Sequence, residues 1–250
     1  SRSVLESAGE LIGGNPADVD TATQWSIRTS SGDVRLIADH RRQTGELGYE
    51  LSVPTERAQD VASALYATAG WGAADPYEPR DQTEDHYPDV RIRPIGWHAF
   101  NTARIEAGLP LYYLDFGPEH LPHESGIVDR RVRFDKGCYL GQEIVARMQS
   151  LGHPKQKIVS LDLSLEGVPE AQTPQPTQGA AVLADVDDAR ETVGVVTSSS
   201  ISPMLGGRPI CFAMVRWQHA QPGQQVSVTA DGDILTGVVR DRLAYWPVER

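Results

Sequence analysis

The last third of this chain alternates apolar and polar residues with a period of two. Polar residues separate Val159, Leu161, Leu163 and Leu165, a pattern typical of a strand with one buried face. Short apolar runs recur at residues 181–183, 193–197, 210–215, 226–229 and 235–239, and the last two flank an Asp-Gly-Asp turn at 231–233. Short strands at this spacing predict a small all-β barrel or sandwich over residues 155–250.

The preceding residues, 1–154, have the mixed pattern of an α+β region. Strands are predicted at 24–28, 34–38 and 49–53, with Ser30-Ser31-Gly32 as the turn between the first two. A helix is predicted to begin at Pro54-Thr55 and to bury an apolar face formed by Ala58, Val61, Ala62, Leu65 and Ala69. We therefore expect antiparallel sheets and helices, followed by the small β-domain, with the boundary near residue 155.

Two further helices are predicted before that boundary. One spans residues 96–107, ends at Gly108 and Pro110, and buries Trp97, Phe100 and Ala103. The segment 111–116 has an extended pattern. The second helix begins near Gly141 and presents Ile144, Val145 and Met148 on its apolar side. Residues 73–90, rich in acidic residues and proline without any period, are predicted to form an exposed loop.

Composition excludes several classes of protein. The formal net charge is −11, which disfavours an extended nucleic-acid surface. No run approaches the roughly 18 apolar residues that a membrane span needs, so we expect no membrane partner. The two cysteines, Cys138 and Cys211, form no C-x-x-C pair, and two thiols cannot hold a four-cysteine cluster. A reducing compartment is the simplest interpretation.

The densest group of reactive residue types lies at 136–143, which read K-G-C-Y-L-G-Q-E. Cys138 stands just ahead of a predicted helix start, where unpaired backbone N–H groups and the helix dipole favour a thiolate. Lys136 adds positive charge, and Glu143 in the first turn suits the dipole. The alternative is a structural cysteine in a turn. Tyr139 either stacks on a ligand ring or packs against the protein.

Three other candidates have simpler explanations. His120, His123 and Glu124 could be metal ligands, but they stand in a Pro-containing loop without a further ligand cluster, so no metal site is predicted. Arg147 follows Glu143 by one helical turn, which predicts an ion pair. Cys211 lies in an apolar strand and is expected to be inert core.

Residues 136–143, continued in register by I-V-A-R at 144–147, resemble the K-G-C-Y-x-G-Q-E motif of the YgfZ family of folate-binding proteins. Four other segments resemble the wider glycine-cleavage T-protein superfamily in the expected order. These are T-G-E-L-G-Y-E at 44–50, R-I-E-A-G-L-P-L at 104–111, L-P-H-E at 121–124, and V-G-V-V-T-S at 193–198 with S-P-M-L-G at 202–206. The resemblance covers nearly the whole chain.

The resemblance implies a T-protein-like fold of three domains around a central hole that holds tetrahydrofolate. It implies that Glu50 binds the pterin, because a carboxylate accepts the adjacent N–H donors of an amino-pyrimidine edge; the alternative is a solvent-facing strand residue. It also assigns Cys138 and Lys136 to the chemistry. Together with Glu50, the cofactor-binding residues that it implies are Tyr139, Gly141, Gln142, Glu143 and Arg104.

The function implied is that of a folate-binding accessory factor for iron–sulfur cluster assembly or repair. Its partners would be tetrahydrofolate and iron–sulfur client or assembly proteins, in a bacterial cytoplasm or a mitochondrial matrix. The alternative is a folate-dependent aminomethyl or one-carbon transferase. A cysteine-nucleophile hydrolase is a third possibility, for which no His and Asn/Asp pair can be assigned to Cys138.

Two departures from the superfamily pattern bear on these expectations. Aminomethyltransferases carry a folate-contacting Arg four residues before the Arg of R-x-E-A-G, and Phe100 stands at that position here. A phenyl ring cannot form the forked hydrogen bonds of a guanidinium. In addition, Ser1 aligns near the middle of the family pattern, which predicts that a preceding segment or a second chain supplies the remainder.

Overall fold

The computed structural model describes residues 2–15, 22–68, 94–168, 173–187 and 189–246. The chain divides into two compact units, residues 1–96 and 97–250. The boundary predicted near residue 155 falls inside the second unit, where the barrel begins at Gln156. The loop predicted at 73–90 lies outside the described residues.

The described residues of the first unit form an antiparallel sheet and two helices. Its strands are β1 (Gly9–Gly13), β2 (Thr23–Ile27), β3 (Val34–Arg41) and β4 (Gly48–Ser52), paired in chain order, so that β1 and β4 are edge strands. The helices are α1 (Arg2–Ala8) and α2 (Ala58–Thr68), the latter preceded by a 3-10 turn at Thr55–Arg57. Alternation along β2 and β3 places one face in a core that includes Leu5, Trp25, Ile27, Leu36 and Val61.

The second unit contains three helices and a closed barrel. The helices are α3 (Trp97–Glu106), the short α4 (Val128–Arg131) and α5 (Gln142–Leu151). The barrel strands are β5 (Gln156–Leu163), β6 (Ala181–Val186), β7 (Ala189–Ser202), β8 (Arg208–Arg216), β9 (Gln225–Ala230) and β10 (Asp233–Val239). They are all antiparallel and close in the order β10-β5-β8-β7-β6-β9. The predicted α+β class and small β-domain are confirmed, and the domain is a barrel.

The outside of the barrel is also partly buried. A cluster of Ile105, Ile158, Ile210, Phe212, Met214 and Tyr245 joins α3 to the outer face of β5 and β8. For this reason Ile158, Val159, Ser160 and Leu161 are all buried, although the sequence pattern of β5 suggested one buried face. Tyr245 ties the two strands together, since its hydroxyl donates to Leu161 O at 2.8 Å and accepts from Cys211 N at 3.1 Å.

Two sequence predictions before the barrel are wrong in detail. Helix α3 forms as predicted, but Trp97 is 60% exposed and Phe100 and Ala103 are only half-buried. Its buried residues are Thr102, Arg104, Ile105 and Glu106, because hydrogen bonds to the barrel satisfy the polar ones. The extended pattern at 111–116 forms a turn, with Tyr113 at φ 67 and Tyr113 N donating to Phe116 O at 2.7 Å.

None of the helices among the described residues is long and apolar enough to span a membrane.

Candidate functional site

The segment around Cys138 is an open surface loop in the second unit. Residues 134–137 form bends after α4, and Cys138 itself is exposed. A Cβ atom added at Gly137 or at Gly141 would meet no heavy atom within 4 Å. The thiol is therefore accessible to a molecule arriving from outside. Cys211 differs in every respect, since it is fully buried in β8 and burial raises its thiol pKa to about 12.

Lys136 and Tyr139 contact each other beside the thiol. The Lys136 Nζ atom lies 4.8 Å from the centroid of the Tyr139 ring, which is the geometry of a cation–π contact. The Tyr139 hydroxyl is buried, yet it has no hydrogen-bond partner among the described residues. Buried hydroxyls normally find a partner, so this hydroxyl is an unsatisfied polar group among the described residues. Of the two roles predicted for Tyr139, the structure shows packing against Lys136.

Gly141, Gln142 and Glu143 form the start of α5. Gly141 has φ 85, a left-handed conformation that glycine adopts without steric cost. The backbone N–H of Gln142 donates to Tyr139 O at 3.2 Å, which connects the loop to the helix. Glu143 lies exposed in the first turn, as the helix dipole favours. The predicted Glu143–Arg147 ion pair does not form within the 4.0 Å limit for a salt bridge among the described residues.

Glu50 lies on β4, the edge strand of the first unit. Its side chain is 59% exposed, and Oε2 lies 3.6 Å from Arg41 Nε and accepts a 3.4 Å hydrogen bond from Gln43 Nε2. Both contacts are long, and Arg41 also pairs with Asp39. The carboxylate therefore retains most of its acceptor capacity for an external donor.

Arg104 is not a ligand-binding residue in this structure. Its side chain is 0% exposed and pairs with Asp115 at 2.7 Å. The guanidinium also donates to Leu109 O at 3.2 Å, to Ser198 Oγ at 2.5 Å and to Asn101 Oδ1 at 2.9 Å. Burial lowers the pKa of Arg104, and Asp115 opposes that shift. In this structure Arg104 has structural contacts throughout, and the cofactor-binding role that the resemblance implies for it stays a prediction.

Arg104 belongs to a buried polar interface that sequence reasoning missed. Asp115 accepts hydrogen bonds from Arg104, from Leu111 N at 2.8 Å and from Thr197 Oγ1 at 2.8 Å. Next to it, Thr102 and Ser200 share a 2.5 Å hydrogen bond, and Ser202 Oγ donates to Glu106. The R-I-E-A-G and T-S-S-S-I-S segments are thus two sides of one contact between α3 and β7. The row of hydroxyl residues in β7 was the sequence feature from which this polar interface could have been predicted.

The remaining candidates have local partners. Phe100 packs with Trp97, their ring centroids 5.5 Å apart. Gly117 N donates to His120 Nδ1, Glu124 Oε2 accepts from Leu121 N, and His123 Nε2 contacts Gln149 Oε1. Within the described ranges, His, Cys, Asp and Glu side chains form no group of three that could hold a metal ion.

Known proteins match this chain over both units. The family model of the glycine cleavage T-protein C-terminal barrel domain matches residues 157–245, which are the closed barrel and its C-terminal extension. An aminomethyltransferase of Moorella thermoacetica is 36% identical over 219 residues, covering 86% of this chain and 51% of the relative. One of Halothermothrix orenii is 29% identical over 240 residues, or 96% of this chain and 57% of the relative.

The fold is also similar to that of an aminomethyltransferase. The crystal structure of glycine cleavage system aminomethyltransferase T from Bartonella henselae matches with a TM-score of 0.60 at 24% identity, over 86% of this chain and 51% of that one. The chain spans about half the length of the relatives it matches. Residues 157–245 of the second unit are thus similar to a T-protein C-terminal barrel. Together these matches support the T-protein superfamily as the family of this chain.

Proposed function

We propose that this chain is a tetrahydrofolate-binding accessory protein of the YgfZ type, which assists iron–sulfur cluster assembly or repair through the thiol of Cys138. The observation that carries the proposal is the open, exposed loop holding Cys138 within K-G-C-Y-L-G-Q-E. The thiolate is the reactive form of cysteine. The other thiol of the chain, Cys211, is buried in the barrel. In this proposal, Cys138 is therefore the thiol that reacts in the native protein.

Tetrahydrofolate fits some of the residues implied for it. Glu50 presents an exposed carboxylate that can accept two N–H donors of a pterin edge. The Tyr139 ring lies against Lys136, and its hydroxyl is buried without a partner among the described residues. Arg104 does not fit, because its buried guanidinium already donates to Asn101 and Leu109 beside it, to Asp115, and to Ser198 of the barrel. In this proposal Lys136 holds positive charge near the thiol, and the N–H of Gln142, which donates to Tyr139 O, orients the loop.

The chain itself supplies two cysteines, so it would not hold a cluster alone. Cys138 would instead meet client or assembly proteins from outside, while the residues named above bind tetrahydrofolate. We place this activity in a bacterial cytoplasm or a mitochondrial matrix, as the resemblance implies.

A folate-dependent aminomethyl or one-carbon transferase is the second candidate. The observation that favours it is that the matched relatives are named aminomethyltransferases. Phe100 disfavours it, because a phenyl ring stands where the aminomethyltransferase pattern has an Arg. Phe100 packs against Trp97 rather than offering a charged group.

One experiment separates the two candidates. A host strain lacking its own YgfZ-type protein receives the parent chain, Cys138→Ala or the control Ser150→Ala, and an iron–sulfur enzyme is assayed in extracts. We expect rescue by the parent and the control only. The purified proteins are then tested for methylene transfer from an aminomethyl-loaded H-protein to tetrahydrofolate. Transfer that survives Cys138→Ala, without rescue by the parent, would support the transferase and refute the accessory role.

A further inference from the structure

Six exposed side chains surround the Cys138 loop and combine positive charge with apolar area. They define the basic–apolar surface: Arg131, Arg133, Phe134, Leu140, Ile144 and Arg147. Ile144 and Arg147 are three residues apart on α5 and so lie on one side of it. The buried Val145 marks the other side, which faces the protein.

The charge of this segment is opposite to that of the whole chain. The chain carries −11, yet residues 131–147 hold four cations against two carboxylates, Asp135 and Glu143. Within the part of the chain that the structure describes, Arg131, Arg133 and Arg147 make no ion pair. Some other arginines are paired, as Arg57 is with Asp60, whereas Arg28 and Arg35 are not paired among the described residues. Among the described residues, the segment therefore keeps a net charge of +2 and three arginines without a salt bridge.

The apolar side chains of the surface are unusually accessible. Leu140 is fully exposed, Ile144 is 56% exposed and Phe134 is 44% exposed. Single exposed apolar residues are common, but apolar groups beside unpaired arginines have the composition of a protein interface with a charged rim. Gly137 has no positive φ and no neighbour that a Cβ would touch, so neither strain nor packing within the described chain explains a glycine there. It leaves space next to the thiol.

We infer that the basic–apolar surface docks a protein partner whose own surface carries aliphatic side chains ringed by carboxylates. This inference rests on the proposed function only in taking Cys138, within the surface, as the working thiol. A nucleic acid is the poorer fit, because the chain is strongly acidic and only Phe134 of the three apolar side chains has a ring on which a base could stack. The carboxylates of an oligo-γ-glutamate tail would pair with the arginines but would leave Leu140 and Ile144 exposed to water.

The test measures how fast Cys138 reacts with short peptides of different charge. The probe is the peptide Glu-Glu-Leu-Cys-Leu-Glu-Glu, its cysteine activated as a 2-pyridyl disulfide. The Cys138 thiolate attacks the peptide sulfur, the new S–S bond forms, and the bond to the pyridine sulfur breaks. The released pyridine-2-thione takes that electron pair and a proton, and its absorbance reports the rate. Comparison peptides replace Glu with Lys, or Leu with Asn.

Attraction to the surface predicts a definite order of rates. At low ionic strength the acidic leucine peptide should react about tenfold faster than the lysine peptide, and most of that advantage should vanish in ~1 M salt, where the Debye length is ~3 Å. The Asn peptide should be intermediate. Arg133→Glu with Arg147→Glu should abolish the preference, whereas Lys155→Glu, at an exposed lysine of the same unit, should keep it.

Two further variants separate docking from general charge effects. In the parent, the leucine peptide should react up to about tenfold faster than the asparagine peptide. Leu140→Asn should remove this difference and leave the preference for acidic over basic peptides unchanged. Gly137→Ala should have the same unfolding temperature as the parent. It should lower the rate at which Cys138 reacts with the peptide more than the rate with the small probe 2-hydroxyethyl disulfide.

Three outcomes would overturn the inference. The first two are a charge preference that survives the double variant Arg133→Glu with Arg147→Glu, and equal rates for the leucine and asparagine peptides. The third is inhibition of the activated-peptide reaction by oligo-γ-glutamate or oligouridylate that is as strong as inhibition by the unactivated acidic leucine peptide. Since no folate and no iron–sulfur client is present, failure here leaves the rescue experiment unaffected. Failure of that experiment likewise leaves this one unaffected.

Discussion

The buried pair of Arg104 and Asp115 should dominate the stability of the second unit. Both side chains are fully buried, and Asp115 accepts from Arg104, Leu111 N and Thr197. Asp115→Ala would leave a buried guanidinium without its counter-charge, which costs about 3–5 kcal/mol. For a unit of this size, at about 2–4 °C per kcal/mol, the unfolding temperature should fall by about 6–20 °C.

Asp115→Asn separates the charge from the hydrogen bonds. Its Oδ1 can still accept from Arg104 and Leu111 N, and its amide can donate to Thr197 Oγ1, whose own proton can then turn toward Phe212 O, 3.4 Å away. Only the negative charge is lost, so we expect an intermediate cost of about 1.5–3 kcal/mol, the range for hydrogen bonds to charged groups.

Differential scanning calorimetry and urea unfolding measure both variants. The control is Asp185→Ala, which breaks an exposed 3.7 Å pair with Arg190 and should cost no more than about 1 kcal/mol. If Asp115→Ala were as mild as this control, the buried interface would not hold α3 to the barrel, and the structural role assigned to Arg104 would be wrong.

Four other predictions concern thiols, the folate site and the backbone. Iodoacetamide should label Cys138 in the native protein well before Cys211, and the reverse order by peptide mapping would contradict the assignment of the reactive thiol. Glu50→Gln should weaken binding of 5-formyltetrahydrofolate by about 1.5–3 kcal/mol in titration calorimetry, while the control Glu10→Gln should leave it unchanged; equal affinities would remove Glu50 from the site. Because the folded pKa of Cys211 is raised from 9.0 to about 12, only the unfolded state loses this proton as pH rises past 9, so stability should fall by about 1.4 kcal/mol from pH 8 to 10, and an identical decline in Cys211→Ala would disprove that origin. Tyr113→Gly should raise the unfolding free energy by about 1 kcal/mol, because it relieves a left-handed conformation, and a loss of stability would show that the ring contributes more than the strain costs.

Sequence periodicity was most informative where a strand has one covered face. The alternation from Val159 onward and the Asp-Gly-Asp turn predicted a small β-domain, and the barrel forms from strands at those positions. It was least informative for α3. A single apolar stripe suggested that Trp97 is buried, whereas hydrogen bonds to β7 make Arg104 and Glu106 the buried residues. Helix α1 and strand β1 were not predicted, because their short sequences have no distinctive period.

Some parts of the candidate site could likewise be predicted from sequence, and others could not. The motif at 136–143 and the first turn of α5 could be located from sequence, because glycine at a left-handed position and an acidic residue at a helix start are local requirements. The partners of Arg104 could not, since Ser198 and Asp115 are 94 and 11 residues away along the chain. The same motif pattern suits a ligand contact and a buried interface equally well.

By itself, the sequence determined the elements whose rules are local: the barrel strands, the helix starts, the acidic charge and the position of the reactive loop. Tertiary structure decided which side chains are available. It enclosed Cys211 and Arg104, left Cys138 and Glu50 exposed, and kept the arginines of the loop without ion-pair partners among the described residues. The physical reason is that exposure and hydrogen-bond partners depend on residues distant in sequence, which periodicity and spacing do not encode.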